Sequence, residues 1–482
     1  MNFNFADVLR DTAQRHGERP ALVDGDRRLT WSQLDAAVDA AARGYSAAGL
    51  VPGYRVVLVL ANSIEFVTSY LGCLRAGLVA VPLNTGLTKG EIGNVIAHSG
   101  ARLAVVDGDL ADKVDGVRVV RAGELGGDAP LTPQTDPEAL AVLLYTSGTS
   151  GDPRAAMLTH RALGANVRNL ADLGEDRMGP EDVVLGVLPM FHAFGLNAVL
   201  GWAVATGAQL VIEARFDSTA TIDLIRRYAV TRLPLAPPAL NAFIARPDLR
   251  EALATVKVVL TGASTLDRGL ADRFEQASGL FVHQGYGLTE ASPGVTTTLG
   301  EHDPKPGSVG RPLPHVDLRI ADEQGEDVEG DDPGEILIRG KNLFSGYWPD
   351  GVDGPDDEGW YRTGDVGFLD ADGDLFLVDR LRELIIVSGF NVFPSEVEEV
   401  LVQAPGVREA AVIGVPSDDT GEAVKAFVVP KTGAAVDPAE VLEYAATRLA
   451  RFKCPVELDV VDNLPHSVTG KVAKGRLREA DR

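Results

Sequence analysis

From Phe5 to Leu288 short apolar runs alternate with segments whose apolar residues recur at helical spacing. Val56 to Leu60, Val79 to Pro82 and Leu103 to Val106 read as strands, and Ser63 to Ala76 and Thr88 to Ser99 between them as helices. A run apolar at every position suits a strand buried on both faces, and strands alternating with helices imply largely parallel sheets covered by helices. The pattern also predicts an amphipathic helix over 5–16, a strand and turn at Ala21 to Gly25, and a helix to about Ala48 opened by the capping box of Thr30 and Gln33. A turn-rich stretch, 110–138, leads to an apolar run from Ala139 to Leu144, a loop, a second run from Ala155 to Leu158, and a helix from His160 to about Leu173 capped by Thr159. Beyond these come strands at Val183 to Leu188, Leu210 to Ile212, Val256 to Leu260 and Phe281 to Gln284, with a helix from Thr221 to Tyr228. Small or polar clusters close three of the strands, at 189–195, 261–264 and 285–290. Such strand ends are where open α/β sheets bind ligands.

The pattern changes after Ser308. Asp-Gly and Pro-Gly turns between alternating strands (Val316 to Ala321, Glu335 to Arg339, Val366 to Leu369, Leu375 to Val378) predict a β subdomain. A domain boundary is expected at Asp379 to Glu383, which divides the chain into 1–379 and 380–482. The second part reads as a small α+β unit: strands at Leu384 to Val387, Glu409 to Val415, Val424 to Val429 and Val456 to Val461, a helix capped by Ser395 with Glu398, and a helix from Pro438 to Ala450. The fold class is therefore α/β, a large amino-terminal domain with a β subdomain, followed by a small α+β domain.

Composition narrows the partners. A net charge of −24 over 482 residues argues against sequence-independent binding to nucleic acid or to an anionic membrane surface, so anionic ligands must be held locally. Cys73 and Cys454 offer neither a disulfide framework nor a zinc spacing, and no window is apolar enough to span a membrane. The amino-terminal residues lack the pattern of a leader peptide, and a cytoplasmic location is the expectation.

The loop Thr146-Ser147-Gly148-Thr149-Ser150-Gly151 with Arg154 offers open backbone N–H groups, hydroxyls and a cation, which suits a polyphosphate. Alone, such a cluster is ordinarily a solvated turn. It is not an NTPase P-loop, because Asp152-Pro153-Arg154 stands where Gly-Lys-Ser/Thr would open a helix.

Taken with Gly285-Tyr286-Gly287-Leu288-Thr289-Glu290, Tyr361-Arg362-Thr363-Gly364-Asp365, Asp379-Arg380-Leu381-Arg382-Glu383 and Thr469-Gly470-Lys471, the loop resembles the ordered core motifs of the adenylate-forming superfamily. Acyl-CoA synthetases, peptide-synthetase adenylation domains and beetle luciferases belong to it. The resemblance runs from near Phe5 to the carboxy terminus and lies nearest the acyl-CoA synthetases. It implies attack of a carboxylate on the α-phosphorus of MgATP, giving an acyl-adenylate and pyrophosphate, then transfer of the acyl group to the thiol of CoA. On that resemblance 146–154 holds the β- and γ-phosphates, Thr289 meets the α-phosphate and Glu290 binds Mg²⁺, a hard cation suited to carboxylate oxygen. Asp365, with Arg380, takes the ribose hydroxyls; Tyr286 and the Gly262-Ala263-Ser264 turn sandwich adenine, and Gly285 and Gly287 also belong to the ATP site. Lys471, otherwise an ordinary solvated lysine, bridges the α-phosphate and the substrate carboxylate.

His192, Phe194, Gly195 and Gly285 are the residues expected at the acyl pocket. Arg382 is the expected hinge on which the small domain swings, and Ser388-Gly389-Phe390 the turn past which the pantetheine arm runs. Near the pocket stretches Arg232 is the cation found, and His192 to Leu196 holds no acid for a substrate ammonium, which favours an apolar monocarboxylic acid, aliphatic or aryl. The chain departs from the family at Arg154-Ala155-Ala156, where Pro-Lys-Gly is usual; arginine is a planar fork rather than a point charge, and glycine's freedom at φ > 0 is lost. Three alternatives stay open: a member performing one half-reaction, transfer to an acyl carrier protein instead of CoA, and a non-catalytic ATP- or acyl-binding protein.

Overall fold

The computed structural model describes residues 3–146, 154–174, 176–264, 266–301, 304–322, 324–328, 330–380 (of Arg380, the backbone), 383–388, 390–417, 420–466 and 472–480. Ser147, Gly148, Thr149, Ser150, Gly151, Arg382, Gly389 and Lys471, all expected site residues, lie outside them. The chain packs as two compact units, 1–317 with 338–361 and 318–337 with 362–482.

Two sheets build the first unit. One runs Arg311–Pro312, Gly294–Thr297, Val282–Gly287, Val258–Thr261, Arg232–Leu235, Val183–Gly186, Gln209–Ile212, Pro20–Asp24, Arg27–Thr30, with its six central strands parallel. The other runs Arg118–Arg121, Leu103–Val106, Arg55–Val59, Val79–Pro82, Leu140–Thr146, Arg154–Thr159, parallel until a closing antiparallel hairpin. The central runs are buried at every position, as in Val79–Pro82 and Leu103–Val106, which is why they carry no alternation. Helices start where side-chain oxygens meet orphan N–H groups: Thr30 and Gln33 form the expected box, Thr88 and Glu91 a second, and Thr159 accepts from Ala162.

The second unit holds a four-stranded sheet, Val316–Ala321, Gly334–Gly340, Trp360–Leu369, Leu375–Arg380, whose outermost pair is antiparallel. Its other sheet runs Phe390–Val392, Ile385–Val387, Gly421–Pro430, Val407–Ser417, with Glu457–Val460 also on Gly421–Pro430. Ile385, Val397, Leu401, Val412 and Val428 bury a core between that sheet and the helix Pro394–Val402.

Two expectations need correction, and one element has no counterpart in the sequence pattern. Strand Arg118–Arg121 lies inside the stretch read as turns; its apolar run is only two valines long, with an arginine at each end. Phe194–Gly201 forms a π-helical turn running into helix Trp202–Thr206, where Gly195 and Gly201 obscure any periodicity. Ser395 does not cap its helix; its hydroxyl donates to Val378 O (2.6 Å), and Glu398 accepts the Val412 N–H (2.7 Å).

Candidate active site

Strands Val258–Thr261 and Val282–Gly287 are parallel neighbours, Thr261 opposite Gln284, so Gly262, the first residue past its strand, comes beside Gly285, which is still paired with Thr297. A Cβ on Gly262 would stand 3.1 Å from the Phe194 ring and 3.5 Å from Gly285 O, so three expected site residues converge because one of them lacks a side chain. Ala263 follows at φ +68°, a left-handed conformation that costs a non-glycine residue on the order of 1 kcal/mol. Ser264 is half-buried beside it, Tyr286 is buried and Gly287 faces outward. At Gly195 a Cβ would lie 2.3 Å from Pro189 O, so this glycine serves the close approach of the π-helical turn to the chain before it.

Thr289 and Glu290 sit in a single 3₁₀ turn just beyond Gly287. Two buried amides absent from the expected set hold the turn: Asn197 donates to Ser292 O (2.7 Å), and Asn342 to Ala291 O (2.9 Å) and Gly294 O (3.0 Å). Glu290 is 9% exposed, and its Oε1 accepts the Tyr347 hydroxyl (2.5 Å). Among the described residues no cation pairs with it. Burial first, then the charge of Glu290, pushes the Tyr347 phenol far above its ordinary range, which keeps it a donor. Phe344 stands edge-on to both Tyr347 and Tyr361, and its N–H binds Glu290 O (2.8 Å).

The same tyrosine reaches the hairpin of strands Leu140–Thr146 and Arg154–Thr159. Trp348 N–H donates to Ala155 O (2.9 Å) and Ser345 N–H to Met157 O (3.0 Å), so the segment around Tyr347 lies along strand Arg154–Thr159. The Arg154 guanidinium lies over the Tyr347 ring at 3.8 Å and pairs with Asp353 at 2.6 Å. Thr146 stands opposite Arg154 at the mouth of the hairpin, and Tyr145 opposite Ala155. Ala155 and Ala156 are fully buried strand residues, and Ala155 is not at positive φ; the missing glycine therefore removes no freedom that this backbone uses. Tyr347, Asp353, Asn197 and Asn342 escaped the sequence reading because each is a lone residue with an ordinary structural explanation.

His192 begins the approach to the π-helical turn, its ring 4.7 Å from that of Phe191. Its Nε2 is buried with no hydrogen-bond partner among the described residues, and burial lowers its pKa to about 4. The imidazole is neutral at pH 7. Burial lowers His160 likewise to about 4. An unfolded histidine titrates near 6.5, so both rings take up a proton on unfolding between these values, and stability falls as pH drops from about 6.5 to about 4. We expect roughly 2 kcal/mol lost per ring by pH 5, read as a falling melting temperature between pH 7 and pH 5. The double substitution His160→Gln with His192→Asn should flatten that slope.

Arg232 does not present a free cation. It pairs with Asp182 (2.9 Å), and donates to Asp176 O and Arg177 O (2.8 Å each). It helps to line a cavity of about 20 Å³ with Ala198, Trp202, Val184, Leu233 and Leu260.

In the second unit Asp365 is half-buried in strand Trp360–Leu369, its N–H on Thr363 Oγ1 (3.1 Å), in register with Arg380. Thr363 donates to Ile336 O (2.8 Å), and Glu335 accepts the Gly364 N–H (3.1 Å) and pairs with Arg362. The motif thus lies within a strand rather than ahead of one. Ser388 turns at φ +52° between paired strands Ile385–Val387 and Phe390–Val392, and the exposed Phe390 ring stacks on Phe452 at 4.8 Å.

The strand-end glycines, the buried carboxylate and the arginine at the hairpin mouth all belong to the first, α/β unit. The chain belongs to the AMP-binding enzyme family: the family model matches residues 9–348, and that of the AMP-binding enzyme C-terminal domain matches 396–471. It is 36% identical to a feruloyl-CoA synthase of Amycolatopsis sp, over 95% of each chain. It is 34% identical to an indoleacetate–CoA ligase of Aromatoleum aromaticum, over 96% of this chain and 95% of the relative. Among solved structures, ATP-bound MatB from Rhodopseudomonas palustris superposes with a TM-score of 0.93 at 32% identity, covering 100% of this chain and 99% of that one. The o-succinylbenzoate CoA synthetase of Bacillus subtilis with its acyl-adenylate gives 0.88 at 29% identity, covering 99% and 98%. The expected superfamily and α/β architecture are borne out. No helix among the described residues is long and apolar enough to cross a membrane.

Proposed function

We propose that this protein is an AMP-forming acid–thiol ligase that activates an apolar, aryl-bearing monocarboxylic acid as its adenylate and passes the acyl group to CoA. The observation that carries the reading is Glu290: a buried carboxylate, oriented by Tyr347 beside the Arg154 hairpin, with no cation among the described residues. Buried carboxylates are normally paired or bound to metal, and a lone hard-oxygen donor fits magnesium. When bound, Mg²⁺ neutralises charge on the phosphates of ATP.

In the first half-reaction a substrate carboxylate oxygen attacks the α-phosphorus and pyrophosphate leaves. Thr289 would hold the α-phosphate, and Arg154 would exchange the exposed Asp353 for the polyphosphate, an easy trade because surface ion pairs are worth about 0–1 kcal/mol. Thr146, Ser147, Gly148, Thr149, Ser150 and Gly151 would supply donors along the same phosphates. Tyr286 and Gly262-Ala263-Ser264 would receive adenine, Asp365 with Arg380 the ribose, and neutral His192 a hydrogen bond at the acid. Lys471 would screen the charge that builds between carboxylate and phosphate. In the second half-reaction the CoA thiolate attacks the acyl carbon and AMP leaves, past the turn 388–390; a 1–379/380–482 division with its hinge at Arg382 would serve this step.

One observation supports the acid's class: Arg232 is neutralised by Asp182, so it offers nothing to a second carboxylate. The feruloyl and indoleacetate specificities of the relatives point the same way. Pyrophosphate release with a panel of aryl, aliphatic and dicarboxylic acids, with and without CoA, tests the proposal. Aryl monocarboxylates should turn over at least about tenfold faster than dicarboxylates of similar size. No release with any acid, or thioester formed with carrier-protein phosphopantetheine and not with CoA, would remove it.

A further inference from the structure

Lys474 opens the short helix Lys474–Ala480, a position where the helix dipole disfavours a cation and where lysine is ordinarily solvated. Here its side chain is 10% exposed and its ammonium sits between Glu398 Oε1 (2.7 Å) and Glu383 Oε2 (3.3 Å). Glu398 belongs to helix Pro394–Val402 and also accepts the Val412 N–H from strand Val407–Ser417 (2.7 Å). Glu383 is the residue after Arg382. One buried ammonium therefore ties three separate parts of the second unit.

What it ties is the base of the segment 467–471. His466 and Val472 pair as an antiparallel bridge, Ala473 N–H donates to Pro465 O (2.7 Å), and Leu477 is buried with Leu464, Ile413 and Phe427. Both ends of the segment are thus fixed to the sheet, one of them through Lys474. Buried ion pairs add little net stability, because desolvation offsets attraction, but they do fix a position.

We propose that Lys474 is a positioning residue for the first half-reaction, holding the base of 467–471 so that the Lys471 ammonium arrives at one place relative to the hinge. This rests on the reading above, in which Lys471 acts in adenylation and not in thioester formation.

The test separates the half-reactions, using pyrophosphate release without CoA and thioester formation from supplied acyl-adenylate. Lys474→Met should slow the first by about 30-fold, the scale of an ångström-sized misplacement, with the second within about twofold. Lys474→Arg should restore most of the loss. Should Glu398, left unpaired, unfold the single variant, Lys474→Met with Glu398→Gln removes that buried charge while keeping an acceptor for the Val412 N–H, and should melt close to the parent protein while adenylating as slowly as expected of the single variant. Equal loss in both half-reactions, or a double variant adenylating at the parental rate, overturns the proposal. Retained adenylation in Lys471→Ala would instead overturn the reading on which it stands.

Discussion

Glu290→Gln will release pyrophosphate about 10²- to 10³-fold more slowly than the parent protein, and the loss will shrink as Mg²⁺ is raised. Glutamine keeps the size of the side chain and an oxygen that can accept the Tyr347 hydroxyl, so the turn Thr289–Ala291 stays held by Asn197 and Asn342. Only the charge is removed. A buried anion with no cation beside it among the described residues is costly by itself, so the free parent enzyme should gain stability when Mg²⁺ binds, and Glu290→Gln should not. Tyr347→Phe is the graded companion. It leaves the carboxylate charged and removes the hydroxyl that aims it, so a roughly 10- to 100-fold fall in Mg²⁺ affinity is expected, the scale of losing a metal ligand's supporting hydrogen bond. Titration of pyrophosphate release against Mg²⁺ for the three proteins checks both statements. Superimposable Mg²⁺ dependences would end the assignment of Glu290 as the metal carboxylate.

This cluster also shows what a sequence makes visible. The elements of the first unit were legible because their reasons are local: fully apolar strands, and caps such as Thr30, Thr88 and Thr159 whose oxygens meet N–H groups two or three residues on. Glu290 and Arg154 were legible through motifs. Tyr347 was not, since its importance comes from two contacts, one 57 residues away to Glu290 and one across to Arg154, which no spacing announces. Arg232 failed for the same reason in reverse: it reads as a pocket cation until Asp182, 50 residues away, is seen beside it. The Ser395 and Glu398 pair obeys the capping pattern, but Val378 O, Val412 N–H and Lys474 are better partners, and tertiary contacts displaced the local one. At Ala155 the inference from family habit went astray because it assumed a loop conformation; a paired strand residue needs no left-handed freedom.

Lys471→Ala should abolish adenylation while sparing the second half-reaction, with pyrophosphate release falling about 10²- to 10³-fold and thioester formation from supplied acyl-adenylate staying within about threefold. The asymmetry follows from where charge develops. As one carboxylate oxygen closes on the α-phosphorus, two anionic groups come together and negative charge passes to the departing pyrophosphate; an ammonium between them relieves repulsion that exists only in that step. When the thiolate attacks the adenylate the acyl group is already joined to phosphate, so no carboxylate has to close on the phosphorus; AMP leaves as its dianion from the acyl carbon, and the repulsion that the ammonium relieves in the first step is absent. Alanine also removes bulk without adding any, so it opens rather than blocks the path to the acyl carbon. The anchors at His466, Val472 and Lys474 are all kept in this variant, which should melt as the parent does. Rapid-quench measurement of each half-reaction separately is the check. Equal losses in both would assign Lys471 a role in folding or in nucleotide affinity, and no loss in either would move the catalytic cation elsewhere, with Arg154 the first residue to substitute.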